Sequence, residues 1–155
     1  MTDADPSEYS VVVDSEAGTA AARFRDAVGR RDVDAMIDTM APDIELHSPT
    51  VLRPVTGRER VRAVFHILID LFEDFEYVRT FDGELAANDP DIVSTHALMF
   101  RCRIGDEQIE GIDVLDVNRS DQIARFTVLI RPMSGLRTLA ESIGARMRTS
   151  APASQ

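Results

Sequence analysis

The sequence predicts a single-domain α+β protein. Apolar stripes at helical spacing dominate residues 16–73, with one strand between them. Period-two strand patterns then dominate residues 75–131, and a last helical stripe follows Pro132. Helices set apart from a run of antiparallel strands define the class. The chain has 155 residues, of which 44% are hydrophobic. That suits one domain with a core of its own, built without metals or disulfides.

Residues 1–15 carry Asp3, Asp5, Glu8 and Asp14 and no basic residue, and read as a flexible acidic tail. Val11-Val12-Val13 could add a short strand to it. The domain proper is expected over 16–148, with a polar tail at 149–155. From Glu16 to Arg30, Ala20, Phe24, Ala27 and Val28 form a helical stripe, with Gly29 near its end. Asp32 can N-cap a second helix whose stripe is Val33, Met36, Ile37 and Met40, stopped by Pro42. Ile44 to Val51 reads as a strand with Ile44, Leu46 and Ser48 on one face and Glu45 and His47 on the other. Pro49 and Pro54 point to an edge or a bulge there. Gly57 precedes a helix over Arg58–Glu73, striped by Val61, Val64, Phe65, Leu68 and Phe72, with His66 off the stripe. Four strands follow as a meander: Phe75–Leu85, Ile92–Ile104, Gln108–Asn118 and Gln122–Arg131. Ser134 can cap a last helix striped by Leu136, Leu139, Ala140, Ile143 and Met147.

Composition excludes several classes of function. The net charge is −10, from 17 basic and 27 acidic residues. That opposes binding to nucleic acid or to an anionic membrane surface. All the basic residues are arginine, so Schiff-base, pyridoxal-phosphate and P-loop chemistry lack their lysine. No apolar run approaches the ~20 residues of a membrane span. Met1–Pro6 is acidic and unlike a signal peptide, so a cytoplasmic location is expected. Cys102 is the one cysteine, which excludes an internal disulfide and a four-cysteine metal site. No cofactor is expected, and no metal, because the histidines and acids show no ligand spacing.

Several local phrases, in their order, resemble the nuclear-transport-factor-2-like superfamily and its SnoaL-like branch. They are Gly29-Arg30-Arg31-Asp32, Met40-Ala41-Pro42-Asp43, His47-Ser48-Pro49, Thr56-Gly57-Arg58-Glu59 and Glu110-Gly111-Ile112-Asp113. The resemblance runs from about Glu16 to Pro132. It implies a cone-shaped α+β barrel, in which a curved, mostly antiparallel sheet wraps around helices and encloses an apolar pocket. It also implies dimerisation through the outer sheet face. The superfamily holds isomerases, cyclases, hydrolases, dehydratases and pure binders, so the fold leaves the activity open.

The resemblance also tests known active sites. The ketosteroid isomerase branch uses a carboxylate base, a tyrosine donor and a protonated aspartic acid donor. These positions fall at Ser48, Phe24 and Asp113, so only the last matches. The limonene-epoxide-hydrolase branch needs an acid in the last strand, and the SnoaL cyclases rely on one near it. Phe126-Thr127-Val128-Leu129-Ile130 has none.

Asp113 remains, as the polar exception on a face shared with Ile109, Gly111, Leu115 and Val117. A carboxyl placed so is a general acid or ligand anchor, or else is satisfied by an arginine or backbone amides. If the former, its pKa is raised by desolvation, and His96 or His47 is the candidate base. His96 shares a strand face with Leu98, Phe100 and Cys102, where a hydrogen-bonded core histidine is the competing reading. His47 alternates outward unless a bulge near Pro49 reverses it. The expected pocket wall is Phe24, Ser48, Phe65, Leu98, Phe100, Leu115, Phe126 and Val128, with core packing as the alternative for its aromatics. The expected function is binding of a small hydrophobic molecule, with proton-transfer chemistry of the isomerase, dehydratase or cyclase type, or else a non-catalytic dimeric binder. A homodimer is expected because Val93, Thr95, Ala97, Met99, Ile112 and Val114 make the opposite sheet face apolar.

Overall fold

The structure is a computed structural model, and it describes residues 18–83 and 89–150. The acidic tail, the Val11–Val13 strand, the helix start at Glu16, Leu85 and residues 151–155 lie outside the described residues. Ten elements follow in order: α1 (Ala20–Gly29), α2 (Val33–Asp38), β1 (Met40–His47), β2 (Val55–Thr56), α3 (Arg58–Leu71), β3 (Glu73–Gly83), β4 (Ile92–Ile104), β5 (Glu107–Asn118), β6 (Ile123–Arg131) and α4 (Met133–Ser150). The strands form one curved, unclosed sheet in the order β2-β1-β6-β5-β4-β3. β3 to β6 are the expected antiparallel meander, while β1 joins β6 in parallel. Among the described residues, no helix is long and apolar enough to cross a membrane.

The helix caps follow the sequence. Thr19 accepts from the Ala22 amide at the start of α1, and Asp121 in the β5–β6 turn accepts from the Ala20 amide at 2.9 Å. Asp32 caps α2 as expected, accepting from the Ala35 amide. Gly57 opens α3 with φ of 93°, a conformation that disfavours any side chain.

Boundaries differ where tertiary pairing overrides local pattern. Met40 leaves the α2 stripe and begins β1, because the Thr39 carbonyl is drawn into the sheet by the Ile123 amide at 2.9 Å. Pro42, which has no amide hydrogen, falls within the irregularity between Met40 and Glu45. β1 is therefore bulged near its start. Instead of forming an edge it is flanked by β6 and the two-residue β2, which the sequence pattern did not reveal. α3 stops at Leu71 and β3 begins at Glu73, two residues earlier than expected. Ser134 lies inside α4, where its hydroxyl bonds Glu107 instead of capping. α4 continues to Ser150, so residues 149 and 150 are helical and not part of a tail. On α4 the buried residues are Gly135 and Leu139, whereas Met147 is exposed.

Two apolar clusters fill the concave side of the sheet. The larger joins α1, α2 and α3 to the inner faces of β1, β4, β5 and β6. The smaller gathers around Phe100, Cys102 and Ile109. Tyr77 and Val128 pack against both, at the junction of the two clusters.

Candidate active site

β5 alternates strictly, with every odd-numbered residue from Ile109 to Val117 buried. Strand parity thus delivers Asp113 to the concave face. Asp113 pairs across the ladder with Leu98 on β4 and Val128 on β6. Asp116 points the other way, bonded by Thr95 at 2.7 Å and Arg125 at 3.2 Å. Two positions before Asp113, Gly111 leaves room for the ring of Phe100. A Cβ there would lie 2.3 Å from that ring and 2.6 Å from the Leu129 carbonyl oxygen.

Asp113 borders a cavity of about 200 Å3 between sheet and helices. The wall is mostly aromatic and aliphatic. Phe24, Phe65 and Phe126 meet in edge and tilted contacts at 5.2–6.0 Å on one side. Phe75 stacks on Phe100 at 5.0 Å on the other. Leu139 and Ile143 of α4 complete the enclosure. The polar lining comes from Asp113, Tyr77, Ser48 and Arg31.

The Tyr77 hydroxyl donates to Asp113 Oδ2 at 2.6 Å, the only hydrogen bond to that carboxyl among the described residues. Every fully enclosed side-chain polar atom among them has a partner. The second carboxyl oxygen, which has none, therefore opens on the cavity. Burial pushes the Asp113 carboxyl up to about 7, and the Tyr77 hydrogen bond offsets part of that rise. Tyr77 itself is pushed well above its usual value, first by burial and then by the neighbouring carboxyl. Burial, and secondarily Asp113, raises the Cys102 thiol to about 12, which leaves it an inert core group. No arginine reaches Asp113 among the described residues, so the ion-paired alternative does not hold.

The SnoaL-like domain model matches residues 21–126, more than half of the chain. The chain belongs to the SnoaL-like domain family. Solved structures agree. A bacterial protein with a cystatin-like fold from Silicibacter pomeroyi is 28% identical with a TM-score of 0.75, over 84% of this chain and 86% of that one. A steroid delta-isomerase from Pseudomonas aeruginosa is 31% identical with a TM-score of 0.72, over 84% and 90%. A SnoaL-like protein from Burkholderia thailandensis shares the fold at 17% identity and a TM-score of 0.58, over 72% and 92%. No curated protein is significantly similar to the chain.

Within this SnoaL-like domain, Phe24, Ser48, Phe65, Phe100, Phe126 and Val128 border the cavity. Leu98 and Leu115 do not: both are core residues, packed in the larger cluster. Neither histidine named as a candidate base borders it either. His47 is turned outward by strand alternation, with Nε2 3.2 Å from Glu45 Oε2. The bulge lies upstream of it, not at Pro49, and leaves that orientation unchanged. His96 has the inward parity but pairs with Leu115, one inward position beyond Leu98. There its Nδ1 meets Asp82 at 2.6 Å and its Nε2 meets Ser94 at 3.2 Å. The structure thus brings neither imidazole to Asp113. Among the described residues, no three His, Cys, Asp or Glu side chains are grouped to hold a metal ion.

Tyr77 and Arg31 are polar residues of the candidate site that sequence reasoning missed. Phe75 and Tyr77 alternate on β3, but only the β3–β4 register places them beside the inward Phe100 of β4. The position that the resemblance assigns to a tyrosine holds Phe24.

Proposed function

We propose that the domain binds a small, mostly apolar molecule through one oxygen atom, held by the Asp113 carboxyl that Tyr77 orients. Proton transfer at that oxygen, or at the carbon beside it, is the chemistry we assign to the pair. The observation that carries this reading is a buried carboxyl, bonded among the described residues only by a tyrosine, facing an apolar cavity. With the carboxyl raised to about 7, both of its protonation states are populated near neutrality. The neutral form can donate to a ligand carbonyl, and the ionised form can accept a proton from the adjacent carbon. The volume, about 200 Å3, is below the ~300–1,000 Å3 of sites for drug-sized ligands, which favours a compact one- or two-ring molecule. The similarity to a steroid delta-isomerase is consistent with carbonyl chemistry of this kind.

A second reading is a non-catalytic binder. It is favoured by a specific observation: the cavity wall holds no second carboxylate and no histidine among the described residues. A single group would have to both remove and return the proton. In either case we propose a homodimer through the outer face of the sheet. Phe81, Ala97 and Val114 adjoin there across three strands, as do Met99, Ile112 and Leu129.

Exchange of the α-hydrogens of 1-tetralone in heavy water, followed by NMR with calorimetric binding alongside, separates the readings. Catalysed exchange that is lost in Asp113→Asn supports the enzyme. Binding without exchange supports the binder. No binding of 1-tetralone or other small cyclic ketones would overturn both.

A further inference from the structure

Among the described residues, the cavity wall carries one cation, Arg31. Its backbone conformation is unusual. The residue occupies the turn between α1 and α2 with φ of 56°, a left-handed conformation that disfavours residues with a Cβ. The turn contains a glycine, Gly29, but at a helical position that does not require one. A non-glycine residue kept in such a conformation at a cavity rim is a reason to ask what its side chain does.

That side chain crosses the rim. The Arg31 guanidinium donates through Nη2 to the Ile69 carbonyl oxygen at 2.6 Å, near the end of α3. This is its only hydrogen bond among the described residues, and no carboxylate pairs with it there. One edge of the fork is anchored and the rest is free to take a planar anion. The cavity therefore has two polar poles. Asp113 and Tyr77 belong to strands β5 and β3, and Arg31 to the turn between α1 and α2.

We infer that Arg31 is the anion anchor of this cavity, and that the ligand is a carboxylic acid with an apolar body and a keto or hydroxyl oxygen at its far end. The inference rests on the binding reading above and narrows it to a substrate class. The acidic surface of the protein gives no general affinity for anions, so selection of a carboxylate has to come from this local contact.

The test is calorimetric titration with ω-benzoylalkanoic acids of increasing chain length and with their methyl esters. Wild type, Arg31→Met and Arg31→Gly are compared. In wild type the best acid should bind at least tenfold tighter than its ester. Both variants should erase that preference while ester affinity stays unchanged. Arg31→Gly guards against a folding artefact, because glycine accepts φ of 56° without strain. Equal binding of acid and ester by wild type, or a preference that survives Arg31→Met, would overturn this inference and leave the binding reading standing. Equal weakening of acids and esters in the variants would make Arg31 a structural strap and also overturn it. If neither series binds wild type, both readings fall.

Discussion

Replacing Asp113 by asparagine removes a titrating group while keeping its volume and an acceptor for the Tyr77 hydroxyl. Raising the carboxyl from 3.8 to about 7 corresponds to about 4 kcal/mol in favour of the neutral form, at about 1.4 kcal/mol per pH unit. Between these values the native state holds a proton that the unfolded state has released. Wild-type stability from this group is therefore greatest below about pH 4 and falls as pH rises toward about 7. Asparagine is neutral throughout and lacks this loss. Relative to wild type, Asp113→Asn should gain about 2 kcal/mol in unfolding free energy between about pH 5.5 and about pH 8.5. Urea unfolding of both proteins across that range measures it. Parallel stability curves would show that Asp113 titrates as an ordinary carboxylate and would refute the burial argument.

Tyr77→Phe removes the hydrogen bond that holds the carboxyl down, so the midpoint of Asp113, read by carboxyl 13C NMR, should move further up. Gly111→Ala places a Cβ against the Phe100 ring and the Leu129 carbonyl oxygen. It should cost about 1–3 kcal/mol in urea unfolding, with a smaller cavity for any ligand. Leu129→Arg, at a position 57% exposed on the outer face, should convert the proposed dimer to a folded monomer in analytical ultracentrifugation. A wild-type monomer at micromolar concentration would end the dimer proposal.

Much of the fold was legible because apolar periodicity and turn chemistry agree along this chain. Asp32 as a cap, β4 over Ile92–Ile104 and the inward parity of Asp113 all follow from local rules. The errors arise where a distant partner decides. Met40 fits the α2 stripe, yet the Ile123 amide recruits the chain into the sheet. The pocket wall was legible for side chains on inward positions near Asp113, since parity alone places Phe100 and Val128 there. Parity does not say how far along a strand the cavity extends. That is why Leu98, Leu115 and His96 were expected at the site although the cavity ends before them. Tyr77 required the register between β3 and β4, which no local pattern supplies. Arg31 appeared in the sequence only as part of a turn phrase, and its reach to Ile69 is a tertiary fact.

The central claim is that Asp113, oriented by the Tyr77 hydroxyl, holds one ligand oxygen inside an apolar cavity. It is tested most directly by calorimetric titration with 1-tetralone and with tetralin, its hydrocarbon counterpart. Wild type should bind the ketone at least tenfold tighter than the hydrocarbon, as expected for a hydrogen bond made in a buried site. The double variant Asp113→Leu, Tyr77→Phe should bind the two alike. Equal affinity of wild type for both compounds, or a ketone preference that persists in the double variant, would contradict the account.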